Sequence, residues 1–573
     1  LALSLILTLG TVGVPELSAE EPTATANSES VYAGGDGSET APYLISTAAA
    51  LRKAAEERNN SGVYYKLTND IYVNGDASTD WANFDWSNAA GLNQWLTVWN
   101  NSTDEQFNGN FDGCGYTVYG LYVNWGMDND NVTRIGLFPV TGPNAIIKNV
   151  KISGSYLEGD YAAGALIGET TTNDAEDKAQ VIGCYADATV TVKAHQYAGG
   201  LVGVGQRTYF NNCGFTGTVA TATSWNANGI MGISWSGGGE MDNCYSVGYM
   251  LSEQMGQFWP RSNIYSTKEY TGPGADVITD IVTLTEDKMK GAASIENMAF
   301  DRLDWDFLEN GYPVPCVRAE SYESGSGTAD DPYMIANEAQ LKKLVNDTDT
   351  ASKYYKLATN IVVNKSLEGT PKLWFMATYN DNNAVGATFN GSLDGDGYTV
   401  SGLYYNGSAS GNAYWASVGL IPRASGTATV KNIGLVNSSL TLKDNGTAGS
   451  IVGLLWSEVD TGDLIMTECF ADETVTVTAV EAGGLAGRLN GISHISDCYF
   501  TGKVNGTNGA DPAYNDGWVN TRTLKNFYTN SEITKQNKSN TYYDNVYNTG
   551  TAATANVGGT QTSTNVVDDD AIK

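Results

Sequence analysis

A chain of 573 residues is several times a single domain's usual length, so several domains or one elongated repeat array must account for it. Its 65 Gly and 33 Tyr against 13 Pro, with 41% hydrophobic and 17% charged residues, exclude general disorder and disfavour a helix-rich body. A formal charge of −32, from 64 acidic and 32 basic residues, argues against nucleic acid or an anionic membrane as a partner.

Leu1 to Val14 form an apolar run, and Pro15-Glu16-Leu17-Ser18-Ala19 ends in small residues, so residues 1–19 read as a signal peptide cleaved after Ala19. An initiator Met and a basic opening are absent, so the sequence is expected to begin inside that signal and to be a fragment at this end. A polar linker over 20–34 follows. No later stretch reaches the roughly 18 apolar residues of a membrane span, which predicts an extracellular or bacterial cell-surface location with no transmembrane segment beyond the signal peptide.

The text Gly35-Asp36-Gly37 through Pro42-Tyr43-Leu44-Ile45 returns as Gly325-Ser326-Gly327 through Pro332-Tyr333-Met334-Ile335, an offset of 290 residues. Tyr64-Tyr65-Lys66-Leu67 returns as Tyr354-Tyr355-Lys356-Leu357 at the same offset, and Phe107-Asn108-Gly109 as Phe389-Asn390-Gly391 at 282. Internal duplication on this scale predicts two tandem units, over 35–320 and 321–573. Each opens on a predicted short amphipathic helix: Ser46 or Thr47 caps a run containing Leu51, and Asn337 caps one containing Leu341 and Leu344. A helix there would cover the open end of a strand stack.

Strand-like text over Tyr64 to Val73 and Tyr354 to Val363 comes next. Then Asp112-Gly113-Cys114-Gly115-Tyr116-Thr117-Val118 matches Asp394-Gly395-Asp396-Gly397-Tyr398-Thr399-Val400, with glycines that supply positive φ in turns. A shorter period follows. Ala163-Gly164-Ala165-Leu166-Ile167-Gly168, Ala198-Gly199-Gly200-Leu201-Val202-Gly203 and Asn228-Gly229-Ile230-Met231-Gly232 step by 35 and 30 residues, while Cys184, Cys213 and Cys244 step by 29 and 31. Unit two repeats both series in Ala448 to Gly453 and Ala482 to Gly487, and in Cys469 and Cys498. Two interleaved series with one period describe successive coils of about 30 residues, each able to hold three short strands and three turns at the parallel-strand spacing. The expected fold is all-β: a right-handed, single-stranded parallel β-helix, or solenoid. Val282 to Met289, Leu303-Asp304-Trp305 and Gly311 to Val314 read as the C-terminal cap of unit one, and Asn565 to Ile572 as the start of its counterpart, whose remainder is expected to be missing.

The Ala-Gly-Gly-Leu-Val-Gly repeats, with the Phe-Asn-Gly-Asn-Phe-Asp-Gly lead-in at 107–113, resemble the GLUG (Gly-Leu-any-Gly) repeat proteins of bacterial surfaces over roughly residues 35–573. Ala165, Ser450 and the shortened Asn228 to Gly232 depart from the motif. The resemblance implies extracellular β-solenoid stalks or adhesive regions of large modular proteins, sometimes beside catalytic modules.

Of the seven cysteines, five recur at one coil position beside an aromatic residue, which favours a stack of buried free thiols over disulfides or zinc. His195 and His494 fall at different points of their coils, so no shared catalytic role is expected. Trp81, Trp86, Trp95, Trp99 and Trp125 crowd unit one, and Trp374, Tyr379 and Trp415 the corresponding part of unit two. Exposed rings of this kind stack on sugars, which makes Trp95, Trp99, Trp125 and Trp374 the candidate glycan-stacking residues, although sealing the first coils is the commoner use of such side chains. No catalytic residue is nominated and no cofactor is expected, calcium being the one candidate ion. The function expected is a non-catalytic stalk or adhesive module toward glycans, matrix or other cells. The alternatives are a carbohydrate-active enzyme, a lyase or hydrolase on the same fold, and a structural spacer of a larger modular protein.

Overall fold

The computed structural model describes residues 31–565 apart from internal stretches that include 100–105, 128–131, 172–177, 250–260, 269–279, 457–462, 514–521, 530–540 and 549–563. The signal-peptide reading of residues 1–19, most of the linker and all but the first residue of the Asn565 to Ile572 text lie outside the described residues.

The chain folds as a parallel β-helix. One full coil contributes five short strands rather than the three expected: Ile146–Lys148, Lys151–Ser153, Ser155–Gly159, Ala162–Gly164 and Ile167–Thr170. The next coil repeats them as Gln180–Ile182, Tyr185–Ala186, Val190–Ala194, Tyr197–Gly199 and Val202–Gln206, each paired in parallel with its counterpart. Residues Tyr43 to Thr283 build one 14-stranded sheet with three smaller ones, and Tyr333 to Asn565 a second 14-stranded sheet with a 10-stranded companion. Alternation along each strand sends Phe111, Ile147, Val181 and Phe210 into the lumen of unit one, and Leu393, Val430, Met466 and Ile495 into that of unit two, all fully buried. Chain length between coils varies at one edge: Thr170 to Gln180 is a long connection, whereas Gln206 to Tyr209 is a tight one.

Two local devices turn the coil. The first is a left-handed residue between the first two strands: Asn149, Gly183, Asn212, Asn243 and Asn263 in unit one, and Asn432, Glu468, Asp497 and Asn526 in unit two, all with φ between 48° and 63°. Asparagine tolerates this conformation and uses its amide to bond the neighbouring coil, as Asn149 does to Asp112 (2.9 Å), Asn243 to Asn211 (3.2 Å) and Asn263 to Asn243 (2.8 Å). The residue after it points inward, and five times that residue is cysteine. All seven cysteines are free, and Cys184, Cys213, Cys244, Cys469 and Cys498 are buried. Burial pushes the thiols of Cys184, Cys213 and Cys469 well above the ordinary range.

The second device is the Gly-Leu-any-Gly corner. Here glycine is required for space rather than for φ: a Cβ on Gly199 would sit 1.8 Å from the Val202 carbonyl oxygen, and one on Gly483 1.6 Å from that of Ala486. Backbones of successive coils nest at this corner while Leu166, Leu201 and Leu485 fill the lumen.

Both predicted helices are present. Helix α1 (Ala48–Glu56) is capped by the Thr47 hydroxyl, and its Ala50, Leu51, Ala54 and Ala55 join the core at the open end of unit one. The closing text of unit one departs from expectation. Strand Ile281–Thr283 is the last rung, and the segment after it, with helix α2 (Gly291–Asn297), packs sideways on the flank rather than across the end. The reason is a column of outward rings, Tyr185, Tyr245 and Tyr265, spaced over four coils with Gly214 between the first two, against which Met289, Met298, Phe300 and Trp305 bury. Helix α3 (Glu338–Asn346), capped by Asn337, is the counterpart of α1 in unit two, with Leu341 and Leu344 in its core.

The flanking segment also ties the units together. Leu308 bridges Lys372 in antiparallel fashion, the Leu373 N–H donates to the Phe307 carbonyl (2.7 Å), and Arg302 donates to the carbonyls of Leu373 (3.0 Å) and Trp374 (2.7 Å). Beneath them Asp306 pairs with Lys342 of α3 and, at 3.4 Å, with Lys372, which also reaches Glu338 at 2.6 Å. Burial alone would raise the Asp306 pKa, but Lys342, Lys372 and Lys151 outweigh it and hold the carboxyl below the usual carboxylate range.

Candidate functional site

The exposed rings of unit one come from the loop after Ile71–Tyr72 and from the corner after Tyr122–Asn124. In the loop, half-exposed Trp81 stacks on Tyr119 (6.3 Å) and lies over Gly154, where a Cβ would come within 2.2 Å of its ring. Trp86 stacks on Tyr122 (5.9 Å, 4° between planes) and on Tyr156 (6.0 Å). These rings spend one face on the solenoid wall.

At the corner, Trp99 and Trp125 are each 47% exposed and meet edge to face at 5.2 Å. The Trp125 indole N–H donates to Thr97 Oγ1 (3.0 Å), which fixes the ring. On the following coils Tyr161 and Tyr197 meet edge to face at 5.3 Å, with the Arg134 guanidinium 4.6 Å over the Tyr161 ring. Arg134 is itself buried in an ion pair with Glu169, whose other oxygen accepts from Gln206 (3.2 Å). His195 is engaged through Nδ1 with the Met127 carbonyl oxygen at 2.9 Å, and His494 is exposed on the strand Ile492–Ser496 of unit two. The corner thus offers fixed, flat apolar faces beside polar groups, an arrangement suited to stacking.

Two of the four candidate stacking residues do not belong to it. Trp95 and Trp374 are 3% and 1% exposed, so neither can meet a ligand. They are equivalents with a structural task. In later coils the corner carbonyls are taken by the coil before: Leu137 N–H donates to the Ala165 oxygen (3.2 Å) and Leu166 N–H to the Leu201 oxygen (3.0 Å). The first corner of each unit has no coil before it, and an indole supplies the donor, from Trp95 to the Leu137 carbonyl (3.0 Å) and from Trp374 to those of Gly419 (3.0 Å) and Leu420 (3.3 Å). The signal was in the sequence, because both tryptophans follow an asparagine that fastens the loop: Asn74 accepts from Asn93 N–H (2.7 Å) and Asn364 from Lys372 N–H (2.8 Å). The side chains of Tyr379 and Trp415 lie outside the described residues.

Among the described residues no group of three or more His, Cys, Asp or Glu stands in a metal-holding arrangement, and no helix is long and apolar enough to cross a membrane.

Comparison with known proteins agrees with the repeat reading. The GLUG motif matches residues 478–505, across the strand Val475–Asn490 that carries the Ala482 to Gly487 corner. A protein named as a Gly-rich membrane protein of Evansella cellulosilytica is 32% identical over 147 residues, 25% of this chain and 15% of that protein. Halomucin of Haloquadratum walsbyi is 29% identical over 184 residues, 32% of this chain and 2% of its own length. The chain therefore spans a small part of the relatives it matches. A solved Bacteroides ovatus structure described as an immunoglobulin A1 protease overlays 81% of this chain and 87% of its own at 13% identity, with a TM-score of 0.26.

Proposed function

We propose, for a chain that carries the GLUG motif on a parallel β-helix, that it is a non-catalytic stalk or adhesive module displayed outside the cell. The observation that carries this reading is the junction. Two coil stacks are joined by a buried ionic and aromatic contact in place of a flexible linker, so whatever lies beyond is held at a fixed distance and angle. The names of the partial relatives, a Gly-rich membrane protein and halomucin, support a surface setting. Small-angle X-ray scattering of the chain is expected to give one rigid particle whose pair-distance distribution does not change between low and high salt. A salt-dependent profile of two independent bodies would overturn the rigid stalk.

A second reading, contact with glycans, is favoured by the exposed and fixed Trp99–Trp125 pair. Polysaccharide retention on an array is expected to fall roughly tenfold or more in Trp99→Ala and Trp125→Ala, at the size of a lost aromatic stacking contact plus its buried area. Release of reducing or unsaturated ends by the unmodified chain in the same incubation would point instead to the carbohydrate-active enzyme.

A further inference from the structure

On the outer face of the large sheet of unit one lies a recess of about 440 Å³, lined by Glu39, Tyr64, Lys66, Asn110, Asp112 and Lys148 among others. It follows from strand alternation. Tyr65, Phe111 and Ile147 enter the lumen, so their neighbours must face out, and the parallel register aligns Tyr64 with Asn110 and Ile146, and Lys66 with Asp112 and Lys148. Unit two presents Tyr354, Lys356, Asp394 and Lys431 in the same register.

This agreement is informative because many other outward positions differ between the units, although Thr117 matches Thr399 and Thr191 matches Thr476. At matched outward positions Tyr119 faces Ser401, Lys151 Gly434, Tyr156 Ser439, Glu158 Thr441, Lys193 Thr478 and Tyr209 His494. Through that drift a contiguous Tyr, Lys, Asp, Lys patch is kept on the opening coils of both units. Asp112 and Asp394 also serve the turn, accepting from the Asn149 (2.9 Å) and Asn432 (3.1 Å) amides, but packing of the lumen does not demand the tyrosine or the two lysines, which point away from the core.

The patch is polar yet close to neutral. Lys148 pairs with Asp112 at 3.4 Å, Lys431 with Asp394 at 3.0 Å and Lys356 with Asp396 at 3.0 Å. Lys66 lies near Cys114, where unit two has Asp396, and among the described residues it makes no ion pair, while Glu39 adds the balancing acid to the recess. Balanced charge gives neither a net anion nor a net cation an advantage. Alternating ammonium donors and carboxylate acceptors do match a ligand whose groups donate and accept at once, as vicinal hydroxyls do. The tyrosine, 40% exposed in Tyr354, adds an apolar ring at the rim, and an open recess suits a unit within a polymer.

We propose that these patches are two equivalent saccharide sites, each taking one pyranose unit of a neutral glycan, its ring against Tyr64 or Tyr354 and its hydroxyls on the Lys and Asp side chains. The proposal rests on the glycan reading for its ligand class and places contact away from the tryptophan corner. Two sites on one rigid chain bind a long polysaccharide with an avidity about 10²- to 10⁴-fold above either site alone.

The test is an array of neutral gluco-, manno- and galacto-oligosaccharides, followed by calorimetry of the best binder with the full chain. The expected stoichiometry is three, one site at the tryptophan corner and two at the patches, falling to two in Tyr64→Ala or Tyr354→Ala and to one in the double variant, while Trp99→Ala loses only the corner site. Lys66→Ala and Lys356→Ala, on the outer face of the sheet, provide a second pair of variants should a tyrosine change disturb folding. More than one site persisting in the doubly substituted chain, or loss confined to Trp99→Ala and Trp125→Ala, overturns the two-site proposal and leaves glycan binding standing. No retention of any neutral oligosaccharide overturns both.

Discussion

Replacing Asp306 by Ala is expected to destabilise the junction by about 3 kcal/mol, because it leaves the ammonium groups of Lys342 and Lys372 near one another with Glu338 alone as their shared counter-charge. Asp306 and Lys342 are 6% and 7% exposed, so water cannot replace the lost partner. The measurement is chemical denaturation read by tryptophan fluorescence, with Trp305 beside the site, together with scattering at neutral pH. Loss of the first cooperative phase and a widened particle are the outcomes expected. Changing the pair together, Asp306→Leu with Lys342→Met, should restore most of the stability, since a well-packed apolar pair is often no worse than a buried ionic one. Parent-like stability of Asp306→Ala would show that the cluster contributes nothing. The same group sets an acid limit. Its folded pKa lies below the ordinary value of 3.8, so its contribution is fully present above that value and is lost as pH falls through the lower folded one.

Trp374→Ala, and Trp95→Ala in unit one, are expected to cost about 3–5 kcal/mol each as large-to-small core changes. The stability loss has two parts that can be separated. Trp374→Phe keeps a ring in the core but removes the indole N–H, leaving the Gly419 and Leu420 carbonyls without that donor, at about 1–3 kcal/mol. Amide hydrogen exchange should localise the effect: Leu420 and Ile421, which donate to Ser450 and Ile451, lose protection first. Trp99→Ala and Trp125→Ala, both at exposed positions, should leave exchange and thermal stability nearly unchanged. If Trp374→Ala melted like the parent, the closing role given to the indole would be wrong.

Much of the architecture could be read from the sequence because its determinants are local or periodic. The Gly164, Gly199 and Gly483 corners mark positions where any side chain collides with backbone, and the Cys series marks the inward position after each left-handed turn. Thr47 and Asn337 cap their helices as expected. What could not be read is whatever depends on direction in space. Trp95 and Trp99 are four residues apart in the same loop, yet one is sealed and the other open, and composition treats them alike. The sideways packing of the segment around α2 depends on Tyr185, Tyr245 and Tyr265 aligning across four coils, and the junction on Asp306, Lys342 and Lys372 meeting from three separate stretches. The coil holds more strands than its sequence announces because two- and three-residue strands carry no alternation.

Because the backbone is pinned at the glycine corner and at the left-handed turn, coil length can change only between these fixed points, chiefly at the edge where Thr170 runs on to Gln180 but Gln206 turns almost at once to Tyr209. Every such connection emerges along the same margin of the wall. A lineage, or an engineer, could therefore lengthen, swap or decorate that margin one rung at a time and obtain a row of interchangeable loops at fixed spacing, without disturbing the register that keeps the scaffold upright.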